Sequence, residues 1–284
     1  MLKKIFFAAA LLLASELIAK PVVIASIAPV EYLAKAVGGD KIEVQSLAKG
    51  DVHSYEPKPN DMKAVAKARF FIAAGLEFEE AWIPRFKASA KNLVVVKSDA
   101  KIAKLKEERG EQAEHDEKHE AHADPHVWLN PMLAITMARN ISDALIEMDK
   151  ANKDFYLENF QKLMNDLLAF DESAKNELSG LKNRKFVVYH PAWGYFAAHY
   201  DLEQISIERS GKEPKIDEMA STLKMIKDEN IKVIFADPNR SQKSAQILAS
   251  QTGAKVELLD PLGYNILENL KIAVGAIKDA NSPK

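Results

Sequence analysis

Between Met132 and Ser179 the chain contains no glycine and no proline. Its apolar residues there recur at helical spacing. Ala134, Ala138, Ile141, Leu145 and Met148 lie 4, 3, 4 and 3 residues apart, and Tyr156, Phe160, Leu163, Leu167, Phe170 and Ala174 continue the period. A helix over 155–178 is about 36 Å long at 1.5 Å per residue. That is enough to run along two lobes, so whatever lies on either side shares one rod.

On both sides, buried-strand runs alternate with helical patterns. The segments 22–27, 42–47, 70–74 and 93–96 read as strands, and so do 186–189, 205–207, 232–236 and 255–259. A helix over 30–37 stops at Gly38, and one over 61–68 is capped by Asn60. Pro214 opens another across Ile216 to Ile226, and Thr252-Gly253 ends one over 246–251. Alternation of this kind predicts an α/β fold with parallel sheets and helices on both faces. Residues 107–124 break the pattern. Glutamate, histidine and lysine dominate, with almost no large apolar side chain, so the segment reads as a mobile acidic loop.

The first 19 residues have the anatomy of a secretory signal: Lys3 and Lys4, an apolar run from Ile5 to Ala14, then Ser15 to Ala19 with cleavage after Ala19. The run is too short to span a bilayer, which takes about 20 residues. With 284 residues and no cysteine, disulfides, thiolate chemistry, cysteine-type zinc sites and a lipidated cysteine are all excluded. Export without a lipid anchor points to a bacterial periplasm. The formal net charge of −2 gives no basic face for nucleic acid.

Four short stretches carry candidate metal ligands: Asp51-Val52-His53-Ser54-Tyr55-Glu56-Pro57, Asp124-Pro125-His126-Val127-Trp128-Leu129, Val187-Val188-Tyr189-His190-Pro191 and Leu258-Leu259-Asp260-Pro261-Leu262-Gly263. Three imidazoles and one carboxylate close a tetrahedral zinc shell. His190, Asp237 and Asp260 each directly follow a strand, and open parallel sheets bind ligands beyond the carboxyl ends of their strands. Prolines flank the candidates and stiffen their loops, while Trp128 and Trp193 can keep water out. Asp237 is open between ligand, partner of a ligand and cap before Pro238. His199 reads as structural. The loop histidines His115, His119 and His122 read as a solvated tether or as weak metal capture. Ligands must be deprotonated, so affinity is expected to fall below about pH 6.5.

These motifs resemble the metal-specific solute-binding proteins of bacterial ATP-driven zinc and manganese importers, the ZnuA type in particular. The resemblance covers essentially the whole mature chain and rests on residues 52–57, 124–131, 190–196, Glu213-Pro214 and 259–263. It implies two (β/α) lobes joined by one long rigid helix, with the metal in the cleft between them. On that pattern, 1–19 is the signal peptide, 20–149 the first lobe including the 107–124 loop, 150–181 the linking helix and 182–284 the second lobe. The resemblance also implies His53, His126 and His190 as ligands with Asp260 fourth, zinc as bound cargo, a membrane permease of an ABC importer as partner, and a monomer with no enzymatic turnover. Manganese-type members carry a carboxylate where this chain has His190, and nitrogen ligands favour zinc. The chain departs from the pattern at Val52, where some zinc members use a glutamate, so that the fourth ligand is Asp260 or water, and at Asp237, where a glutamate is frequent. The rivals are a manganese or iron(II) carrier of the same family and a secreted zinc hydrolase, although no His-Glu-x-x-His is present.

Overall fold

The computed structural model describes residues 20–106, 123–208 and 216–281. The export segment 1–19, the loop histidines His115, His119 and His122, and Glu213-Pro214 all lie outside the described residues.

The described chain builds two four-stranded sheets, both wholly parallel. The first holds β1 (Val22–Ala25), β2 (Glu43–Ser46), β3 (Phe70–Ala73) and β4 (Val94–Lys97) in the order β2-β1-β3-β4. The second holds β5 (Lys185–Val188), β6 (Glu203–Ser206), β7 (Val233–Ala236) and β8 (Lys255–Leu258) in the order β6-β5-β7-β8. The two halves therefore repeat one topology. In each, the chain steps to one neighbour of its first strand and then returns to the other side. That reversal leaves a crevice at the carboxyl ends of the strands. The inner strands β3 and β7 are apolar and buried at every position, as a parallel sheet covered on both faces requires.

Helices α1 (Ala28–Gly38), α2 (Pro59–Val65) and α3 (Glu77–Ser89) serve the first sheet. Helices α6 (Gly194–His199), α7 (Ile216–Asp228), α8 (Lys243–Thr252) and α9 (Ile266–Asn281) follow in the second half. Between the sheets run α4 (Pro131–Met148), one 3-10 turn at Lys150–Asn152, and α5 (Lys153–Ser179). At 27 residues, α5 is the expected rod. It buries Tyr156, Phe160, Leu163, Leu167, Phe170, Ala174 and Leu178 and packs on α1, α4 and α9. One apolar cluster runs from Ile24 and Phe71 of the first sheet through this face to Phe186 and Phe235 of the second. His199 of α6 meets Asp171 of α5 at 2.6 Å, the structural role expected for it.

Several helix ends differ from the sequence reading, among them the close of α2 at Val65 and the start of α8 at Lys243, and two have a plain physical reason. The helix α1 stops at Gly39, not Gly38, because Gly39 takes a φ of +54°, where a side chain is penalised. The second difference lies at α2, which starts at Pro59 with Lys58 as its cap. Proline supplies the first helical φ without needing a donor, and the Asp61 carboxylate accepts the Lys58 N–H at 2.8 Å, which leaves Asn60 no capping task.

Candidate metal centre

The sequence delivers three histidines to one point from three different elements. His190 stands two residues beyond β5, and His53 lies in the loop between β2 and α2. His126 precedes a 3-10 turn, Val127–Leu129, that leads into α4. The Nε2 atoms of His53 and His190 are 3.2 Å apart, and those of His190 and His126 are 3.4 Å apart. One nitrogen from each ring lies within 4.8 Å of the others. Two nitrogens bound tetrahedrally at 2.0–2.1 Å from one Zn²⁺ are separated by roughly 3.3–3.4 Å. The observed spacing therefore matches the edge of such a tetrahedron.

The partners on the far side of the rings fix which nitrogen is free. His126 Nδ1 is 2.8 Å from Asp124 Oδ1, and His190 Nδ1 is 3.3 Å from Glu208 Oε2. A carboxylate oxygen only accepts, so each Nδ1 carries the proton. Both Nε2 atoms then present lone pairs toward each other, and no hydrogen bond can join them. A cation between them resolves the conflict, and the carboxylate behind each ring makes it a stronger donor.

Local chemistry holds each ligand in place. Asp124 Oδ1 also accepts the His126 backbone N–H at 2.9 Å. Beyond it Asn130 caps α4 through the N–H groups of Met132 and Leu133. Trp128 is fully buried, its ring centroid 5.3 Å from that of His126, and its Nε1–H donates to the Pro261 carbonyl at 2.7 Å. The Tyr195 hydroxyl donates to the Asp124 carbonyl and accepts the Leu105 N–H, both at 2.8 Å. His126 and His190 are thus buried on surfaces stitched across the lobes. His53 is exposed at its edge, beside a cleft of ≈ 330 Å³ lined in part by Val52, Leu76, Glu80 and Pro125.

The carboxylates sort differently. Asp260 stands outside the three-histidine group. Its Oδ1 accepts from Asn239 Nδ2 and from the Leu262 N–H, both at 2.8 Å. Asp237 is buried, and its Oδ1 accepts from the Asn239 backbone at 2.7 Å and from its side chain at 3.1 Å. Asp237 thereby closes its own turn. Burial, reinforced by the charge of Asp260, raises its pKa.

Two partners were missed by sequence reasoning. Glu208 is 1% exposed and lies beside His190 because Val188 pairs with Ser206, two residues earlier on each strand. Only the register reveals this. Arg240 Nη2 donates to Glu208 Oε1 at 2.8 Å, and its Nη1 meets Asp51 Oδ1 at 3.4 Å. Burial alone would raise the Asp51 carboxyl, but Arg240 and the bonds from Ser54 and His53 hold it below its usual range.

One edge of His53 reaches solvent, but its Nε2 lies against His190, and desolvation there, then the crowding imidazoles of His126 and His190 and the charge of Arg240, push its pKa down to about 3. His190 lies well below the ordinary value for the same leading reasons, burial and His126. The unfolded chain therefore binds protons below about pH 6.5 that the folded chain refuses. Stability of the metal-free protein is expected to be complete above that pH and to decline as pH falls toward 3, read as a falling melting temperature between pH 7 and 5. At His53 and His190, proton competition for a metal begins lower than the pH 6.5 suggested by free imidazole, because both rings resist protonation. Between pH 7 and 5 the loss of metal affinity is expected to be shallower than three free imidazoles would give, and a loss as steep as theirs would contradict the two depressed rings.

A family model described as "Zinc-uptake complex component A periplasmic" matches residues 23–279 of the chain. The high-affinity zinc uptake system protein ZnuA of Bacillus subtilis (strain 168) is 30% identical over 279 residues, which cover 91% of this chain and 86% of that protein. A crystal structure of ZnuA superimposes with a TM-score of 0.85 at 35% identity, covering 93% of this chain and all of that one. A zinc-bound ZnuA deletion mutant gives a TM-score of 0.86 at 34% identity over 93% and 99% of the two chains.

Proposed function

The chain belongs to the family of periplasmic zinc-uptake components, and from that premise we propose that His53, His126 and His190 capture Zn²⁺ for a membrane ABC importer. The observation that carries this reading is the triangle of Nε2 atoms with carboxylates behind two of its corners. Neutral nitrogen donors suit zinc better than manganese or iron(II). The fourth position falls to Asp260. Both hydrogen bonds to its carboxylate use Oδ1, which leaves Oδ2 for a cation. The donors then total three neutral rings and one negative charge.

The carrier works in the periplasm as a free monomer, with zinc and the importer's permease as its partners and no nucleic acid. The cysteine-free sequence offers no thiol for a lipid. Capture and release are its whole chemistry. The carboxylates nearest the rings, Asp124 and Glu208, are engaged by the Nδ1 atoms, so neither is available as the general base a hydrolase needs. The lobes divide at the ends of α5, with 20–149 before the rod and 182–284 after it.

The test is competition between metals on stripped protein, read by calorimetry. Zinc is expected to displace manganese at equal concentration. A preference for manganese would reverse the assignment.

A further inference from the structure

The three histidines are not held alike. His126 and His190 sit on surfaces joined across the cleft by the Trp128–Pro261, Tyr195–Asp124 and Tyr195–Leu105 bonds. The His53 loop is anchored mainly to its own lobe. The Tyr55 hydroxyl donates to Asp61 at 2.8 Å, and Asp51 accepts the His53 N–H at 3.2 Å and the Ser54 hydroxyl at 3.0 Å. Among the described residues, apart from the ring contact itself, the polar link from this loop to the second lobe is Arg240 on Asp51. The same guanidinium holds Glu208, whose other oxygen meets His190. Asp51, Arg240, Glu208 and His190 thus form one chain of charged contacts leading from the loop of one ligand to the ring of another.

We propose that Arg240 is a positioning residue that clasps the His53 loop to the second lobe, so that its bridge from Asp51 to Glu208 sets how quickly bound zinc is released. The proposal rests on the zinc reading above. Two effects of Arg240 oppose each other. Its positive charge repels a nearby dication, which weakens binding. Its planar fork holds two carboxylates at once and pre-organises the third imidazole, which strengthens binding. A guanidinium between two acids is largely neutralised from the viewpoint of the ion, so the geometric effect dominates. The two effects predict opposite signs for the same substitution.

The experiment measures zinc release into excess chelator by stopped flow for the full chain, with Arg240→Lys, Arg240→Gln, Asp51→Asn and the Asp51→Asn/Arg240→Gln double variant. Lysine keeps the charge but cannot span both carboxylates. The clasp predicts that all three single variants release zinc about tenfold or more faster, the scale typical of groups that orient ligands. The double variant should speed release by less than the product of the two single effects, since the Asp51–Arg240 link is lost in both while each change also breaks bonds of its own. Cobalt(II) spectra should keep their tetrahedral signature, because His53 remains a ligand. Unchanged or slower release in Arg240→Lys and Arg240→Gln, or additive effects in the double variant, would overturn the clasp. Should Arg240→Gln fail to fold, Arg240→Lys and Asp51→Asn still decide. A wild-type chain that does not bind zinc would instead bring down the function itself, whereas normal binding with indifferent Arg240 variants removes only the clasp.

Discussion

His190→Ala is expected to weaken zinc binding by two to three orders of magnitude, measured by calorimetry or chelator competition. Structural zinc sites bind with roughly 10–16 kcal/mol in all. Shared among four ligands, one imidazole accounts for about 2.5–4 kcal/mol, and each 1.4 kcal/mol is a factor of ten. His190 is the central corner of the triangle, in contact with both other Nε2 atoms. Its removal leaves Glu208 still paired with Arg240, so the loss falls on the metal and not on an orphaned buried charge. Unchanged affinity would remove His190 from the site.

The largest effect on stability is expected for Trp128→Ala. The indole is fully buried, and truncating a buried tryptophan costs about 3–5 kcal/mol. It also forfeits the Nε1–H bond to Pro261 and leaves that carbonyl without its donor. For a chain of this size the melting temperature should fall by roughly 10 °C. Trp128→Phe keeps most of the apolar volume and loses the bond, so it should cost far less, about 1 kcal/mol. Equal losses in the two variants would mean that the hydrogen bond, not the packing, carries the residue's contribution. The same indole lies against His126, so the alanine variant should also bind zinc less tightly.

Much of this fold is readable in the sequence because its signals are long and periodic. The glycine- and proline-free stretch becomes α4 and α5, interrupted by a single tight turn at Lys150–Asn152. The eight apolar runs become eight strands, each within a residue or two of its expected ends. The three histidines could be nominated because each follows a strand or opens a rigid Pro-flanked turn. Their supporting acids could not all be found that way. Asp124 is visible as a neighbour of His126 in sequence, but Glu208 reaches His190 only through the register of β5 with β6. Arg240 follows β7 with no local pattern to mark it, and its role exists only when both lobes are present. Helix ends were misjudged where two adjacent residues could serve equally by type. Gly38 and Gly39 are an instance, separated only by the sign of φ that the backbone adopts.

The shared apolar interior has a consequence for how this molecule comes apart. Side chains from both sheets, α5 and α9 belong to one contiguous cluster, so a cut between the halves opens that interior to water, although the second sheet keeps a further cluster of its own around Val187, Ile207, Ile234 and Leu248. Either half alone would present to water the greasy flank that the other now covers. Loss of order in one half should therefore weaken the other by exposing the shared face, while the second sheet's own cluster resists longest. A carrier assembled in this way lets go of its ion as soon as either half gives way, because the three rings come from both.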